Sequence, residues 1–368
     1  MFTTSTPPRR RTAVREENTQ LSTVTGILLG NQRDGATYWN PQEMANPHGC
    51  VIGGSGAGKT QTLKAIAYSI RQELDCPVTL VDFHGDQSIE GETCYQVNME
   101  SPHGINPLVI NLDKQGGGPN LKAIELAVLL RKTLGMGPNQ EGLLIELLKE
   151  CYERRRISQD KPLTWQLEPP NFGDLQAVVE ERSETDKEAQ KLRLKMAALF
   201  EYGIFSKPQP PNQRHTRWDL SKLPHELQAI AGDSLASQLM NSSRLLGESQ
   251  GELRYFLFVD EAKELGHSKA LNRIAADGRK YGLGLWVASQ SSRHIHKDVL
   301  SSTFTKIVLP VDSSELSLVA RTFRFSQEAV GALNPLEALV RFGKEAVKVN
   351  ILPYYRRKGR GNREEGIG

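Results

Sequence analysis

The chain has 368 residues, a formal net charge of +3 and 24% charged side chains. That length allows one large α/β domain or two smaller ones, and the near-balanced charge excludes a polycation that binds nucleic acid over its whole surface. No stretch reaches the roughly 18 apolar residues of a membrane-spanning helix, the N-terminus is too polar for a signal peptide, and the four cysteines form no C-x-x-C pair. We therefore expect a cytoplasmic protein with reduced thiols and no membrane segment of its own.

The first elements in chain order lead to a buried strand. Residues 1–20 are polar and lack an apolar period, which predicts a disordered arm. Two β-rich runs between residues 24 and 39 flank an Asp-Gly turn and predict a hairpin. The apolar run Cys50-Val51-Ile52 then predicts the first core strand, and a helical pattern over 61–74 follows it after a glycine-rich loop.

That loop has the pattern G-x-x-x-x-G-K-T of a phosphate-binding loop (Walker A). Its glycines let backbone N–H groups point at phosphate oxygens, and the N-terminus of the following helix adds a partial positive charge. Lys59 is predicted to reach the β- and γ-phosphates, and Thr60 to offer its hydroxyl to Mg²⁺. The predicted nucleotide-binding residues are Gly53, Gly54, Ser55, Gly56, Ala57, Gly58, Lys59, Thr60, Gln61 and Asp260.

The remainder of the chain alternates between strand and helix. A β-branched run over 77–81 ends at Asp82-Phe83-His84-Gly85-Asp86, helical periodicity dominates from about 120 to 247, and strand signals return from 255 onward. This order predicts an α/β fold with a mostly parallel central sheet, helices on both faces and a helical insertion. Two runs after residue 338 predict a two-stranded ribbon.

The apolar run over 255–259 is followed directly by two carboxylates, Asp260 and Glu261, which is the Walker B pattern. Asp260, at the end of the strand, is positioned to hold Mg²⁺ together with Thr60, directly or through water. Glu261 can accept a proton from the attacking water. Strands also end in acids that cap a following helix, so a capping role is the alternative for Glu261.

Two further polar residues follow. Gln290 ends an apolar run, where a neutral amide can hydrogen-bond the γ-phosphate or the attacking water; an ordinary polar residue at a strand end is the alternative. Arg279 lies between two predicted strands, either as a surface cation or as part of the site. His294 and His296 lack cysteine or carboxylate partners at ligand spacing, so no structural metal site is predicted.

The order of these motifs resembles the HerA/FtsK superfamily of ring-forming, DNA-pumping ATPases, and within it the HerA-like and conjugative coupling-protein branches. The string G-R-K-x-G-L-G-L that starts at Gly278, followed by Ser289-Gln290, is its most specific part. The resemblance implies a P-loop NTPase fold of the RecA-like (ASCE) type. It also implies that Gln290 senses the γ-phosphate and that Arg279 is an arginine finger acting in trans, with Arg273, Arg321 and Arg324 as competing candidates.

The chain also departs from that family. The N-terminal β-barrel of HerA helicases, the membrane helices of coupling proteins and the winged helix of FtsK are not recognisable, and Asp86 replaces the glutamate of the D-x-H-G-E box. His84 in this box either approaches the nucleotide or the pore, or stabilises a turn. We expect a disordered arm over 1–20, a motor domain over 21–355 with its insertion at about 120–247, and a flexible basic tail over 356–368.

Two functions fit these features. The leading hypothesis is an ATP- and Mg²⁺-dependent ATPase that assembles as a homo-oligomeric ring, hexameric by resemblance, and translocates DNA through its pore. Its catalytic residues would be Lys59, Glu261, Gln290 and Arg279, with Thr60 and Asp260 at the metal. The alternative is an ATPase of a secretion, conjugation or defence assembly that moves protein or recruits a partner, such as a nuclease, through its nucleotide state.

Overall fold

A computed structural model describes residues 26–266 and 268–357. The predicted arm over 1–20 and residues 358–368 of the predicted tail lie outside the described residues. The strands are β1 (Ile27–Gln32), β2 (Gly35–Trp39), β3 (Gly49–Ile52), β4 (Val78–Asp82), β5 (Thr93–Gln96), β6 (His215–Asp219), β7 (Tyr255–Val259), β8 (Leu283–Ser289), β9 (Thr305–Val308), β10 (Glu337–Phe342) and β11 (Glu345–Ile351). The helices are α1 (Lys59–Glu73), α2 (Pro119–Leu134), α3 (Pro138–Arg154), α4 (Phe172–Ser183), α5 (Lys187–Tyr202), α6 (His225–Leu245), α7 (Lys269–Asp277), α8 (Lys297–Ser302), α9 (Ser313–Phe323), α10 (Gln327–Gly331) and α11 (Tyr354–Arg357).

These strands form one sheet in the order β2-β1-β11-β10-β9-β3-β8-β7-β4-β6-β5. The seven neighbours from β9 to β5 run parallel, whereas β10, β11, β1 and β2 add an antiparallel edge. Central strands such as β8 are buried along their whole length, which explains their continuous apolar runs. The predicted mostly parallel sheet is confirmed, and so are the predicted hairpin and ribbon, which join it as β1–β2 and β10–β11.

Apolar layers cover both faces of the sheet, as predicted. One layer holds α1, through Leu63, Ile66 and Ile70, together with Tyr354 of α11. The other layer holds the remaining long helices, from α2 to α9. Within the described residues, no helix combines the length and the hydropathy needed to cross a bilayer.

The region predicted as a helical insertion is interrupted by a strand. Helices α2 to α6 lie within 119–245, but β6 returns to the sheet between β4 and β5. Only the signal near Trp218 predicts this return, because β6 carries three ionisable residues in the sequence His-Thr-Arg-Trp-Asp. The edge strand β5 is absent from the predicted elements, since it is four residues long and only partly buried.

The start of the predicted flexible tail needs a correction. Arg356 and Arg357 belong to α11, and Arg357 is buried. Its guanidinium donates to Ser69 Oγ on α1 at 2.6 Å and to the Leu28 carbonyl of β1. Arg357 therefore ties the end of the described chain to both the phosphate-loop helix and the edge hairpin.

Trp39 fastens the edge hairpin to the central sheet. Its ring is fully buried with its centroid 5.1 Å from that of Trp286 on β8, and its Nε1 donates to Thr305 Oγ1 at 3.1 Å. We expect Trp39→Ala to lower the free energy of unfolding by about 3–5 kcal/mol, because it opens a large cavity. Urea unfolding followed by circular dichroism measures this change.

Tyr38→Ala is the matched control, since Tyr38 is the preceding residue of β2 and is exposed. It should change the free energy of unfolding by no more than about 0.5 kcal/mol. Equal losses in the two variants would contradict the anchoring role of Trp39.

Candidate nucleotide site

The phosphate loop connects β3 to α1 and has the backbone geometry expected from its glycines. Gly56 has a φ of 71° and Gly58 a φ of 106°, both in the region that favours glycine. A Cβ at Gly58 would also lie 2.5 Å from the Leu336 side chain. Gly54 N–H donates to the Pro310 carbonyl at 2.7 Å, so the loop is held against the segment that follows β9.

Lys59 and Thr60 open α1 at the mouth of this loop. Lys59 Nζ donates to the Gly54 carbonyl at 2.8 Å, which places the ammonium group inside the curl of the loop. Burial lowers the pKa of Lys59, and the carboxylates of Glu261 and Asp86 oppose this change. Gln61, also predicted to contact nucleotide, points elsewhere: its Oε1 accepts from Tyr355 N–H on α11 at 3.4 Å.

The tip of β7 brings Asp260 and Glu261 to the same edge of the sheet. Both side chains are buried. Glu261 Oε1 accepts from Ser289 Oγ at the end of β8 at 3.1 Å. Its carboxylate makes no capping bond to the Ala262–Leu265 turn that follows, so the capping alternative finds no support in this geometry.

The tip of β4 forms a tight turn around the buried carboxylate of Asp82. That carboxylate accepts from the backbone N–H groups of His84, Gly85 and Gln87 at 3.1, 2.7 and 3.0 Å. From the other side, Arg217 Nη1 on β6 donates to Asp82 Oδ2 at 2.9 Å, and Arg217 Nε donates to Glu92 at 2.7 Å. Asp82 thus serves as the internal acceptor that shapes residues 83–87.

This turn presents His84 and Asp86 to the other motifs. Asp86 Oδ2 accepts from Thr60 Oγ1 at 3.1 Å, and His84 Nδ1 lies 3.3 Å from Asp260 Oδ2. Asp260 Oδ1 also accepts from Phe83 N–H at 3.0 Å. The hydrogen bond to Asp260 raises the pKa of His84, while burial raises the pKa of Asp260. His84 is therefore a direct partner of the Walker B aspartate, and it lines the cavity described below.

The oxygen donors at this point suit Mg²⁺. Carboxylate oxygens of Asp82, Asp86 and Asp260 lie within 4.8 Å of one another, and the Thr60 hydroxyl adjoins Asp86. Hard oxygen ligands of this kind are those that Mg²⁺ prefers. Gln87 supplies a second sign of fit: its buried Oε1 has no hydrogen-bond partner among the described residues, and a water on a bound ion would satisfy such an acceptor. Thr60, Asp86 and Asp260 are therefore the residues that would hold the ion.

One cavity of about 270 Å³ collects most of the predicted site. The predicted residues that line it are Ser55, Gly56, Lys59, Thr60, Asp260, Glu261 and Gln290. His84, Asp86, Gln87 and Ala288 complete its wall. Three strand tips and the phosphate loop thus place a lysine, two hydroxyls, three carboxylates, two amides and a histidine around one space, an arrangement that can bind a polyphosphate and activate water.

Arg279 lies outside this cavity. It is exposed in the short Gly278–Tyr281 turn, and its guanidinium donates to the Ala45 carbonyl. Among the competing arginines, Arg273 pairs with Glu125 at 2.6 Å, while Arg321 and Arg324 are exposed at the end of α9. No arginine within the described residues lines its own chain's cavity.

Matches between this sequence and known proteins differ in how much of the chain they cover. The helicase HerA-like C-terminal family model matches residues 27–95. A 59-residue segment, 16% of this chain, is 41% identical to 12% of the probable DNA double-strand break repair helicase HerA of Methanocaldococcus jannaschii. The chain is also 24% identical over 283 residues to the DNA import protein CedB of Sulfolobus acidocaldarius. This alignment covers 72% of this chain and 44% of CedB.

Two solved structures share the fold. VirB4 of Thermoanaerobacter pseudethanolicus has a TM-score of 0.74 and 18% identity over 89% of this chain and 96% of that chain. The plasmid coupling protein TrwB in complex with ADP and Mg²⁺ has a TM-score of 0.59 and 15% identity over 83% of this chain and 85% of that chain. Residues 27–95 are thus similar to the HerA-like C-terminal family, and the chain has the P-loop NTPase fold of VirB4 and TrwB. Its matches span under half the length of the curated relatives.

The HerA-like segment holds two of the four strand tips of the site. Residues 27–95 include the phosphate loop and the Asp82–Asp86 turn, whereas Asp260, Glu261, Arg279 and Gln290 lie beyond it. The roles of those four residues stay predictions. Three contacts of the site were not predicted from the sequence, namely those of Asp86 with Thr60, Ser289 with Glu261 and Arg217 with Asp82. The Asp82–Asp86 motif of the sequence contains Asp86 and could have pointed to it. No sequence pattern points to Arg217, because a single arginine in a charged segment does not reveal which acid it will pair with.

Arg217→Met should lower the free energy of unfolding by about 3–5 kcal/mol, because it leaves Asp82 and Glu92 buried without their cation. Chemical denaturation measures the change. Arg155→Met, which removes an arginine from a more exposed pair with Asp174, is the control and should cost about 1 kcal/mol or less. A loss at Arg217 no larger than that of the control would remove Arg217 from the support of the β4 turn.

Proposed function

We propose that this protein is an ATP- and Mg²⁺-dependent ATPase that assembles as a ring and translocates DNA. One observation carries the proposal: Lys59, Thr60, Asp260, Glu261 and Gln290 meet around a single cavity at the carboxyl edge of a parallel sheet. The names of the relatives support it, since HerA is a DNA repair helicase, CedB imports DNA, and TrwB was solved with ADP and Mg²⁺.

Nucleotide binding rests on the phosphate loop and the acids opposite it. The loop's backbone N–H groups and Lys59 would hold the β- and γ-phosphates, and Thr60, Asp86 and Asp260 would hold Mg²⁺, which offsets phosphate charge when bound. The contact between His84 and Asp260 holds the Asp260 carboxylate, one of whose oxygens lies within 4.8 Å of an oxygen of Asp86.

Hydrolysis requires a base and a group that detects the γ-phosphate. Glu261 would accept the proton of the attacking water, and its bond to Ser289 fixes where its free oxygen lies. Gln290, exposed beside Ala288 on the cavity wall, would hydrogen-bond the γ-phosphate or the water. Each group acts on the phosphates from a separate strand tip, so the chemistry depends on the register of the sheet.

The exposed position of Arg279 supports the proposed ring. An exposed arginine outside its own chain's cavity is available to a neighbour, and a head-to-tail contact that closes by rotation makes a cyclic oligomer, a hexamer in our proposal. A finger of this kind stabilises charge in the neighbour's transition state.

The second candidate is an ATPase of a secretion, conjugation or defence assembly that moves protein or recruits a partner. The fold shared with VirB4 favours it as the alternative. Steady-state ATP turnover with and without long duplex DNA separates the two. A salt-sensitive stimulation by DNA supports translocation, whereas turnover that DNA does not change would favour the second candidate.

Glu261→Gln should retain ATP binding and lose turnover by at least about 100-fold, because the amide preserves shape but cannot accept the proton of water. Fluorescent-nucleotide binding and phosphate release measure the two quantities. Glu252→Gln, at an exposed position just before β7, should change neither. Wild-type turnover in Glu261→Gln would exclude Glu261 as the base.

Arg279→Ala should bind ATP normally and lose turnover by about 10³-fold or more, since a finger acts on the neighbour's site. Lys59→Ala should be inactive for a different reason, the loss of its phosphate contact. In mixed rings, a Lys59→Ala subunit can present Arg279 to an intact phosphate loop, so mixing the two inactive variants should restore part of the activity. If cross-linking proves that mixed rings form and activity stays absent, the finger is not Arg279, and Arg321 or Arg324 takes its place.

A further inference from the structure

A groove distinct from the nucleotide cavity lies between α2, α6 and α7. Near the N-terminus of α2 it is lined by Gly116, Gly117, Gly118, Leu121, Lys122 and Arg273. It continues along α2 past Lys132 toward Lys269 at the start of α7. None of the residues that line the nucleotide cavity lines this groove.

Lys122 is a buried cation that faces the groove without a bonded partner. The residue is only 8% exposed, and among the described residues no acceptor lies within hydrogen-bond or ion-pair distance of its ammonium group. Burial lowers the pKa of Lys122, and the charges of Asp233 and Glu125 oppose this without contact. The ammonium group of a side chain buried to this extent is partly desolvated, so an anion that enters the groove would pair with it favourably.

The backbone beside Lys122 offers further donors. Within the described part of the chain, no backbone carbonyl accepts from the N–H groups of Gly117 or Leu121. The loop that carries them is held closed by a bond from Gly118 N–H to the Asn111 carbonyl at 3.0 Å. A Cβ at Gly117 would lie 2.0 Å from that same carbonyl, so the loop requires glycine there. A glycine loop before a helix N-terminus, with a lysine beside it, is the arrangement that binds phosphate groups.

The two acids of the groove are engaged elsewhere. Glu125 accepts from Arg273 at 2.6 Å, which offsets its charge. Burial raises the pKa of Asp233, and the Ser268 side chain and the Ala270 backbone at the start of α7 oppose this change. Lys122 is therefore left as the cation available to a ligand, with Lys132 and Lys269 farther along the groove adding positive charge.

We propose that the Gly116–Gly118 loop and Lys122 form a second anion site that takes a phosphoryl group. The group comes either from free phosphate or from the backbone of a nucleic acid; both present the same tetrahedral oxygens. The site lies between α2, which belongs to the helical region, and α7. In the chain, α7 lies between the Walker B segment and Arg279. It does not depend on the function proposed above, because phosphate binding can be measured without hydrolysis.

The test uses the full chain with Lys59→Ala, which removes anion binding at the phosphate loop. Isothermal titration with inorganic phosphate should give one site in this background. Adding Lys122→Met should weaken phosphate binding about tenfold or more, as expected for the loss of a charge-assisted bond. Adding Glu125→Gln should strengthen it about threefold, because a negative charge leaves the groove. Opposite changes at two neighbouring residues cannot both arise from misfolding.

Lys187→Met, which removes an exposed lysine at the start of α5, is the control and should leave binding unchanged. Fluorescence anisotropy with a 20-base-pair duplex in the same variants identifies the source. If Lys122→Met weakens binding of both phosphate and the duplex, and phosphate competes with the duplex, the site is assigned to nucleic acid. If Lys122→Met weakens binding of phosphate but not of the duplex, the site is assigned to free phosphate. Absence of phosphate binding in the Lys59→Ala background, or equal affinity with and without Lys122, overturns the proposal.

Discussion

The site depends on the parallel register of four neighbouring strands. Because β3, β8, β7 and β4 all run in the same direction, their carboxyl ends meet at one edge, and every polar side chain that lines the cavity follows one of those ends. The phosphate loop follows β3, Gln290 follows β8, Asp260 and Glu261 follow β7, and the Asp82–Asp86 turn closes β4. A one-residue slip of any of these strands would turn its terminal side chain to the opposite face of the sheet.

That convergence concentrates negative charge, and the surrounding residues offset it unevenly. Asp82 is buried but has a permanent cation in Arg217, so it can act as a structural acceptor. Asp260 has only His84 near it, and Glu261 has a neutral hydroxyl. Among the described residues, the acids that face the cavity are therefore the ones that form no ion pair with an arginine or lysine. This difference explains why Asp82 holds the turn, whereas Asp260 and Asp86 remain available for an ion.

Sequence patterns predicted the parts of this arrangement that are contiguous in the chain. The phosphate loop, the apolar run of β7 and its two acids follow directly from residue order, because each is a local consequence of glycine geometry or strand periodicity. The pairs that cross the sheet were not accessible in this way. Arg217 with Asp82 and Ser289 with Glu261 are separated by many residues, and each becomes a pair only through strand order. His84 is an intermediate case: its place in the motif was evident from the sequence, but its contact with Asp260 at 3.3 Å was not.

Helix α7 has a mechanical consequence. It has nine residues, so at about 1.5 Å per residue it is a rod roughly 13 Å long. Glu261 and the Ala262–Leu265 turn precede it, and Arg279 follows its last residue by two positions. A helix this short bends little, so if Glu261 moved on release of phosphate, as the proposed mechanism allows, α7 would pass that movement to Arg279 as a tilt. In a closed ring, such a lever would let the nucleotide state of one subunit set the timing of the next.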